Sequence, residues 1–284
     1  MTLKEAILEA EKKGVAIGHF NVSDSEGFNA VIDGAKELGV PVIVGVSENE
    51  RSFLGVAEIR ALVAVEKEKG LPIFLNADHT YSVEASKEAV DAHFDSVIID
   101  GAEKPFSENI AMTKEVVKYT KDIFPDILVE GELGFIGTGS KILDEIPDGV
   151  SETTQTTPED AKIFVEETFI DLFAPSVGNI HGLVSTGEPK LNIKRIKEIA
   201  NAVKVPLVLH GASGNTDEDI RDAIEAGIRI VHINTELRLA YKKGIKKSVM
   251  SSDELAPYKF MAEGVEEMKK VVIDKLKLFN GLKK

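Results

Sequence analysis

Residues 206–236 read PLVLHGASGNTDEDIRDAIEAGIRIVHINTE and contain the pattern that decides the fold. Two apolar runs, residues 206–209 and 228–234, flank a polar segment with the spacing of a helix. Thr216 followed by Asp219 is typical of a helix start, because a threonine side chain can cap the first turn. Nearly continuous apolar runs are typical of strands buried on both faces of a parallel sheet. The stretch therefore predicts a strand–helix–strand unit.

The same alternation continues along the rest of the chain. Six further apolar runs lie at residues 15–20, 41–47, 72–78, 96–100, 127–133 and 172–177. Helical stretches separate them, and Ser23 with Glu26 predicts a capping box at the start of one of these helices. Eight strand–helix repeats indicate an α/β fold and favour a closed (β/α)8 barrel over an open doubly wound sheet. For 284 residues we expect a single barrel domain over 1–284, although two smaller domains also fit the length.

Two segments depart from the regular alternation. Residues 134–156 are rich in Gly, Ser, Thr and acidic residues and show no clear period. Loops longer than about 12–15 residues are usually functional or disordered, so we expect a mobile active-site loop here. Residues 254–284 have a helical pattern and should cover either the barrel or a partner subunit.

Composition limits the classes of function. The chain has 34 Lys plus Arg against 48 Asp plus Glu, a formal net charge of −14, which argues against nucleic acid and anionic membrane as partners. Cysteine is absent, so a metal would be bound by His, Asp or Glu. No apolar run approaches the roughly 20 residues that span a bilayer. Residues 1–13 lack the apolar core of a signal peptide, and we expect a cytoplasmic protein.

The positions of the histidines point to chemistry. Of six histidines, five lie at or next to the C-terminal ends of predicted strands. They are His19, His79, His181, His210 and His232. In a barrel these strand ends converge on the face that carries active sites, so the set predicts a metal site or acid–base chemistry. The sixth, His93, is interpreted as a helix-end residue without a catalytic role.

Carboxylates also end predicted strands. The period of two places Glu130 and Glu132 on the same face of their strand, while Asp100 ends another. Asp78 and His79 should point to opposite sides of an extended strand, so both can reach one pocket only if the backbone turns there. Structural roles stay open at this point: a helix cap for Asp78 and a buried ion pair for Glu130.

Two loops have the composition of a phosphate site. Residues 210–214, HGASG, follow one strand, and residues 233–236, INTE, follow the last strand and lead directly into a helix. Small residues allow close approach of the backbone, and helix N-termini offer unpaired N–H groups. The loops after the last two strands are the usual phosphate site of a (β/α)8 barrel, although tight turns also need glycine.

Six motifs, in order along nearly the whole chain, resemble the class II, zinc-dependent fructose-bisphosphate and tagatose-bisphosphate aldolases. They are HFNV (19–22), NADH (76–79), ELG (132–134), GNIHG (178–182), LHGASG (209–214) and NTEL (234–237). The resemblance implies reversible cleavage of a ketose bisphosphate, chiefly fructose 1,6-bisphosphate, to dihydroxyacetone phosphate and glyceraldehyde 3-phosphate. It also implies a homodimer or homotetramer.

The resemblance assigns roles to individual residues. His79, His181 and His210 would bind the catalytic zinc, with Asp100 and Glu132 holding the metal in an alternative, buried position. Asp78 would be the acid–base group at the aldehyde oxygen. A monovalent cation is a further candidate cofactor. The substrate-binding positions would be Asn21, Ser47, Gly182, Gly211, Ala212, Ser213, His232, Asn234 and Thr235.

Three departures from the family pattern leave parts of the site open. Thr138 replaces a glycine and Ser140 stands where the loop glutamate belongs, so we expect Glu145 to substitute, with Asp144, Asp148 and Glu152 as alternatives. His232 stands where the family usually has asparagine. The arginine for the distal phosphate has no clear counterpart, and the candidates are Arg51 and Lys259. An aldolase for another ketose 1-phosphate, such as tagatose 1,6-bisphosphate, and a non-catalytic sugar-phosphate-binding barrel are therefore alternatives.

Overall fold

The computed structural model describes residues 1–137, 139–147, 150–186 and 189–283. Ten strands are found in this part of the chain. They are β1 (Ile17–Asn21), β2 (Val42–Val46), β3 (Ile73–Thr80), β4 (Ser96–Ile99), β5 (Leu128–Leu133), β6 (Ile142–Leu143), β7 (Leu172–Pro175), β8 (Leu183–Val184), β9 (Leu207–Leu209) and β10 (Ile228–Ile233).

Eight of these strands form a closed parallel barrel. Their order around the barrel is β1, β2, β3, β4, β5, β7, β9 and β10, and β10 pairs with β1 to close it. The remaining two, β6 and β8, form a separate two-stranded sheet. The predicted (β/α)8 barrel is therefore confirmed, and each predicted apolar run overlaps one barrel strand.

Twelve α-helices are found in the described residues. They are α1 (Leu3–Lys13), α2 (Ser25–Leu38), α3 (Glu48–Leu54), α4 (Val56–Glu68), α5 (Val83–Asp91), α6 (Phe106–Ile123), α7 (Pro158–Thr168), α8 (Ile193–Ala202), α9 (Asp217–Ala226), α10 (Thr235–Ser251), α11 (Pro257–Phe260) and α12 (Ala262–Phe279). None of the described helices is long and apolar enough to cross a membrane.

Side-chain caps fix several helix starts. Thr216 accepts a hydrogen bond from the backbone N–H of Asp219, as predicted. The predicted capping residue of α2 is wrong by one position: Asp24, not Ser23, is extended and accepts from Gly27 N at 2.7 Å. Both residue types cap helices, and only the path of the chain leaving β1 decides which side chain faces the first turn.

Two apolar clusters determine which end of the barrel remains polar. Inside the barrel, inward-facing side chains such as Ile43 and Phe74 pack with Leu3 and Ile7 of α1. Because α1 contributes to this interior cluster, it closes the N-terminal end of the barrel. A larger cluster lies between the strands and the surrounding helices. Polar side chains are therefore gathered at the opposite end, where the strands finish.

The C-terminal region covers the barrel. Helix α12 packs against α10, α2 and β1, with Met268, Val272 and Leu276 buried in the contact. Residues 254–284 were expected to cover either the barrel or a partner subunit, and in this structure their helix α12 covers the barrel.

Candidate active site at the C-terminal strand ends

A cavity of about 570 Å³ opens at the C-terminal ends of the strands. This volume lies in the usual range for small-molecule sites. The predicted residues that line it are Asn21, Ser47, Asp78, His79, Asp100, Glu132, His181, Gly182, Gly211, Ser213, His232, Asn234 and Thr235. His210 and Ala212 are buried and lie outside this lining, and Glu145 is exposed on the surface.

The backbone of β3 turns at Asp78 and His79. The pairing of β3 with β4 shifts register between Ala77 and Thr80, and His79 has a left-handed φ of 39°. Such a bulge re-aims side chains that would otherwise alternate between the two faces of a strand. Asp78 and His79 consequently both line the cavity. The sequence analysis expected such a turn if Asp78 and His79 were to reach the same pocket.

Three histidines from different strand ends approach one another. His79, His181 and His210 each offer a ring nitrogen, and these nitrogens lie within 4.8 Å of one another. The ring centroid of His79 is 4.7 Å from that of His181 and 4.9 Å from that of His210. Three imidazoles that leave further coordination positions open are typical of a catalytic divalent-metal site.

Buried atoms without hydrogen-bond partners test whether a metal fits here. His210 Nδ1 and Glu132 Oε2 are 3.2 Å apart, yet both are buried without a hydrogen bond. Buried polar atoms are rarely left unpaired, and a cation beside both would satisfy them. Glu132 also lies 3.6 Å from His79 Nδ1, and His79, Asp100 and Glu132 form a second ligand group. The residues therefore fit a divalent metal.

Carboxylates orient the histidine rings from behind. His210 Nε2 donates to Glu130 Oε1 at 2.7 Å, and His79 Nδ1 donates to Asp100 Oδ2 at 2.8 Å. Carboxylate partners of this kind fix the tautomer of a metal-binding histidine. Glu130 and Glu132 both reach His210, which confirms that they share a face. The open question on Glu130 is answered as well, because it forms a buried pair with a histidine.

The histidines differ in protonation. Burial and the charges of His79 and His210 lower the pKa of His181 to about 3, so His181 is neutral. Burial also acts to lower the pKa of His79, but Asp78, Asp100 and Glu132 outweigh it and raise the pKa to about 9. The pKa of His210 is likewise raised well above its ordinary value, against burial, by Glu132 and Glu130. Without a metal, the carboxylates thus hold protons on two of the three histidines.

Asp78 is held as an ionised carboxylate. Burial acts to raise its pKa, but the charge of His79 and the contact with His232 outweigh it, and the pKa is well below its ordinary value. Its Oδ2 accepts from Asn21 Nδ2 at 2.8 Å, and Asn21 also donates to Glu50 Oε2 at 2.9 Å. Glu50 is buried and was not singled out from the sequence, since it lies on α3 rather than at a strand end.

The two loops predicted to bind phosphate, residues 210–214 and 233–236, meet beside the histidines. Gly211 has a φ of 58°, and a Cβ on it would lie 2.4 Å from the backbone oxygen of Ile180, so only glycine fits. Ser213 Oγ lies 3.4 Å from Asn234 N and 3.5 Å from Glu236 N, at the start of α10. The backbone N–H groups of this turn are thus only weakly engaged and available for an anion.

The first part of the long segment borders the cavity, through Phe135, Ile136, Gly137, Gly139 and Ser140. His181 N donates to Ile136 O at 2.8 Å, and β6 pairs with β8 just beyond. Ser140, which stands at the expected glutamate position, lines the cavity. Of the acidic alternatives, Asp144 and Glu152 are exposed like Glu145, and Asp148 lies outside the described residues, as does Thr138.

Neither candidate for binding the distal phosphate lines the cavity. Arg51 is buried, and its guanidinium donates to Val46 O, Asp78 O and Thr80 Oγ1, so it braces β2 against β3. Lys259, on α11, pairs with Glu254, which precedes the helix. The cationic side chains that do line the cavity, within the described ranges, are Lys104 and Arg238. The sequence could have pointed to Arg238, because it lies in the first turn of the helix that follows the phosphate loop at residues 233–236.

Comparison with known proteins agrees with this geometry. A sequence profile described as "Fructose-bisphosphate aldolase class-II" matches residues 1–284. The chain belongs to the class II fructose-bisphosphate aldolase family. Members are metal-dependent carbon–carbon lyases, and the chain is an enzyme of this class.

Individual relatives extend over almost the full chain. A fructose-bisphosphate aldolase of Staphylococcus aureus is 34% identical, and the match covers 98% of this chain and 96% of the relative. The crystal structure of the YdjI aldolase from Escherichia coli K12 is 33% identical with a TM-score of 0.84, covering 98% and 96%. A fructose-bisphosphate aldolase from Campylobacter jejuni, at 23% identity, shares the fold with a TM-score of 0.80, covering 99% and 94%.

Proposed function

We propose that this class II aldolase uses zinc to cleave fructose 1,6-bisphosphate reversibly into dihydroxyacetone phosphate and glyceraldehyde 3-phosphate. The observation that carries the proposal is the convergence of three histidines, an ionised aspartate and two phosphate-type loops on one cavity. A zinc ion held by His79, His181 and His210 would act as a Lewis acid on the substrate carbonyl.

The phosphate loops would hold the dihydroxyacetone phosphate half of the substrate. Gly211, Ser213, Asn234 and Thr235 line the cavity beside the histidines. The backbone N–H groups of residues 211–213 and 234–235 would suit a phosphate without net positive charge. Gly182 allows the backbone to approach, and Asn21 and Ser47 line the same pocket. This end of the substrate would therefore be fixed by backbone groups rather than by lysine or arginine.

Asp78 would remove the proton from the substrate hydroxyl as the carbon–carbon bond breaks. Its pKa is depressed, so it is ionised at neutral pH and ready to accept a proton. The second proton transfer, at the carbon of dihydroxyacetone phosphate, would need an acid from residues 134–156. Glu145 is our candidate, and its role requires that this segment bring it toward the cavity.

Charged residues where the distal phosphate would bind give a reason to test a second class of substrate. Lys104 pairs with Glu108, Arg238 pairs with Glu50, and Glu48 and Glu103 also line the cavity. A distal phosphate would have to compete with these carboxylates. This arrangement favours, as the alternative, a ketose 1-phosphate without a charged distal end.

Turnover of a small substrate panel tests the proposal. We would measure metal content and cleavage of fructose, tagatose and sedoheptulose bisphosphates beside the corresponding 1-phosphates. The main proposal expects fructose 1,6-bisphosphate to have the highest kcat/KM, and preference for a 1-phosphate would replace it with the alternative. A non-catalytic barrel would bind dihydroxyacetone phosphate without exchanging its carbon-bound proton in deuterated water. A homo-oligomeric state, a monovalent cation and a cytoplasmic location stay predictions.

A further inference from the structure

Three histidine rings form a buried column beside the metal ligands. The rings of His19 and His232 stack with centroids 3.5 Å apart and planes 4° from parallel. His232 in turn stacks on His210 with centroids 4.1 Å apart and planes 20° from parallel. His232 is thus clamped between a metal ligand and a histidine that the metal site does not use. His19, Asp78 and His232 offer ligand atoms within 4.8 Å of one another, but the two rings are nearly parallel, so their ring nitrogens do not converge on one point as those of metal ligands do.

The outer ring of the column is built into the barrel. His19 and His232 are direct partners in the register of β1 with β10. His19 Nε2 donates to Asn76 Oδ1 at 3.0 Å, and Asn76 Nδ2 donates to Ser96 Oγ at 2.7 Å. The place for the His19 ring is made by Gly45, because a Cβ there would lie 2.0 Å from His19 Cε1.

The middle ring faces the carboxylate of Asp78. His232 Nδ1 lies 3.4 Å from Asp78 Oδ1, and Asn21 already donates to the other oxygen, Oδ2. A ring nitrogen that faces an ionised carboxylate carries the hydrogen, but this contact does not complete a hydrogen bond, and Asp78 Oδ1 is buried without a hydrogen-bond partner among the described residues. The hydrogen bond from Asn21 therefore fixes Oδ2, and the His232 ring stands 3.4 Å from the unpaired Oδ1 and limits how the carboxylate can rotate.

Neutral rings suit this arrangement. Burial lowers the pKa of His19, and burial together with the charges of His19 and His210 lowers the pKa of His232 well below its ordinary value. Two uncharged rings can stack closely without repulsion, whereas a hydrated or charged side chain at either place could not be buried unpaired.

We propose that His232 is a positioning residue for carbon–carbon bond cleavage, which aligns Asp78 Oδ1 with the metal-bound end of the site from its place in the His19–His232–His210 column. The inference rests on the proposed aldolase function. It assigns His232 to carbon–carbon bond cleavage, the step that uses Asp78. Proton exchange at the carbon of dihydroxyacetone phosphate does not use Asp78 and should not depend on His232.

Two variants of His232 separate the effect of its contact with Asp78 from the effect of its stacking between His19 and His210. His232→Phe keeps an aromatic ring between its neighbours but removes Nδ1. His232→Asn restores an N–H close to the Nδ1 position, and asparagine is the residue that the family pattern usually has there. His93→Asn is the matched control, since His93 is exposed just after α5 and its ring meets Phe124 edge-on.

Cleavage, proton exchange and zinc content should respond differently. For His232→Phe we expect kcat for cleavage to fall about a hundredfold, because misplaced catalytic groups cost that order of rate. Exchange of the dihydroxyacetone phosphate proton in deuterated water and zinc content should stay at the wild-type level. His232→Asn should recover part of the cleavage rate, and the control should match the wild type in all three measurements.

Several results would overturn the inference. They are wild-type cleavage by His232→Phe, an equal loss of cleavage and exchange, loss of zinc, or no advantage of His232→Asn over His232→Phe. If His232→Phe does not fold, a His232→Asn enzyme that loses exchange as strongly as cleavage overturns the inference instead. If the wild type neither cleaves nor exchanges, the proposed function itself is wrong, which is a separate outcome.

Discussion

The strand-end site and the described part of residues 134–156, which borders the same cavity, differ in physical character. At the strand ends, buried side chains hold one another, as in the contacts of Glu130 with His210 and of Asn21 with Asp78. In the long segment, Asp144, Glu145 and Glu152 are exposed, and the regular contact is the short pairing of β6 with β8.

This difference indicates how the reaction is divided. Asp78 and His79 lie on β3, and His210 directly follows β9. Groups that must keep a fixed geometry are thus held on or next to strands, which position catalytic groups more accurately than loops do. The proton transfer at carbon is the step that we propose for an acid from residues 134–156. Substitutions on the two sides should therefore damage different steps, and the following predictions test this.

Asp78→Asn should have the largest effect on the strand-end side. General acid–base catalysis contributes about 10² to 10⁴ in rate, so we expect kcat for cleavage to fall about 10³-fold. Zinc content should not change, because the metal is assigned to the three histidines. Steady-state cleavage and metal analysis check both points, and an active Asp78→Asn enzyme would contradict the role of Asp78.

Glu145→Gln should slow proton transfer at the carbon of dihydroxyacetone phosphate. We expect proton exchange at dihydroxyacetone phosphate to fall about a hundredfold, again from the loss of a general acid–base group. Asp144→Asn and Glu152→Gln are matched controls in the same segment and should retain exchange. If either control loses exchange and Glu145→Gln does not, the proton donor has been assigned to the wrong residue.

Zinc affinity should rise with pH. In the metal-free protein the pKa of His79 is about 9 and that of His210 is above its ordinary value, so both carry protons at pH 7. Zinc needs them neutral, and binding must release protons. The apparent affinity should therefore rise about tenfold per pH unit for each proton released, up to about pH 9. Calorimetry in buffers of different ionisation enthalpy counts these protons, and the absence of release would contradict the assigned ligands.

Gly45→Ala should have the smallest effect, a loss of stability caused by displacement of the His19 ring. The added Cβ would overlap His19, and overpacking a core costs about 1–3 kcal/mol. We expect Tm to fall by about 2–10 °C, measured by calorimetry on the zinc-loaded enzyme. Gly27→Ala, where the nearest atom to a Cβ lies at 3.2 Å, is the control. An unchanged Tm would show that His19 is not held tightly.

Much of the strand-end site could be predicted from the sequence. Strand positions follow from apolar runs, and the convergence of His79, His181 and His210 follows from barrel geometry. The bulge at Asp78 and His79 was foreseen only as a condition, because alternation alone places them on opposite faces. The choice of Asp24 over Ser23 as a cap was missed, since both can fill that role.

The remaining features depend on contacts between distant parts of the chain. The stacking of His19 on His232 needs the register of β1 with β10 and the space at Gly45, neither of which a local pattern contains. Glu50 and Arg238 reach the site from helices, and their pairing joins residues 188 positions apart. Sequence periodicity assigns residues to faces but does not give the partner that each face meets.

Zinc content and cleavage, measured together on the wild type and on His210→Ala, test the central claim most directly. We predict about one zinc per chain in the wild type, cleavage of fructose 1,6-bisphosphate that a chelator abolishes and zinc restores, and neither zinc nor cleavage in His210→Ala. His93→Ala should behave as the wild type. Full cleavage by zinc-free wild type or by His210→Ala would contradict the account.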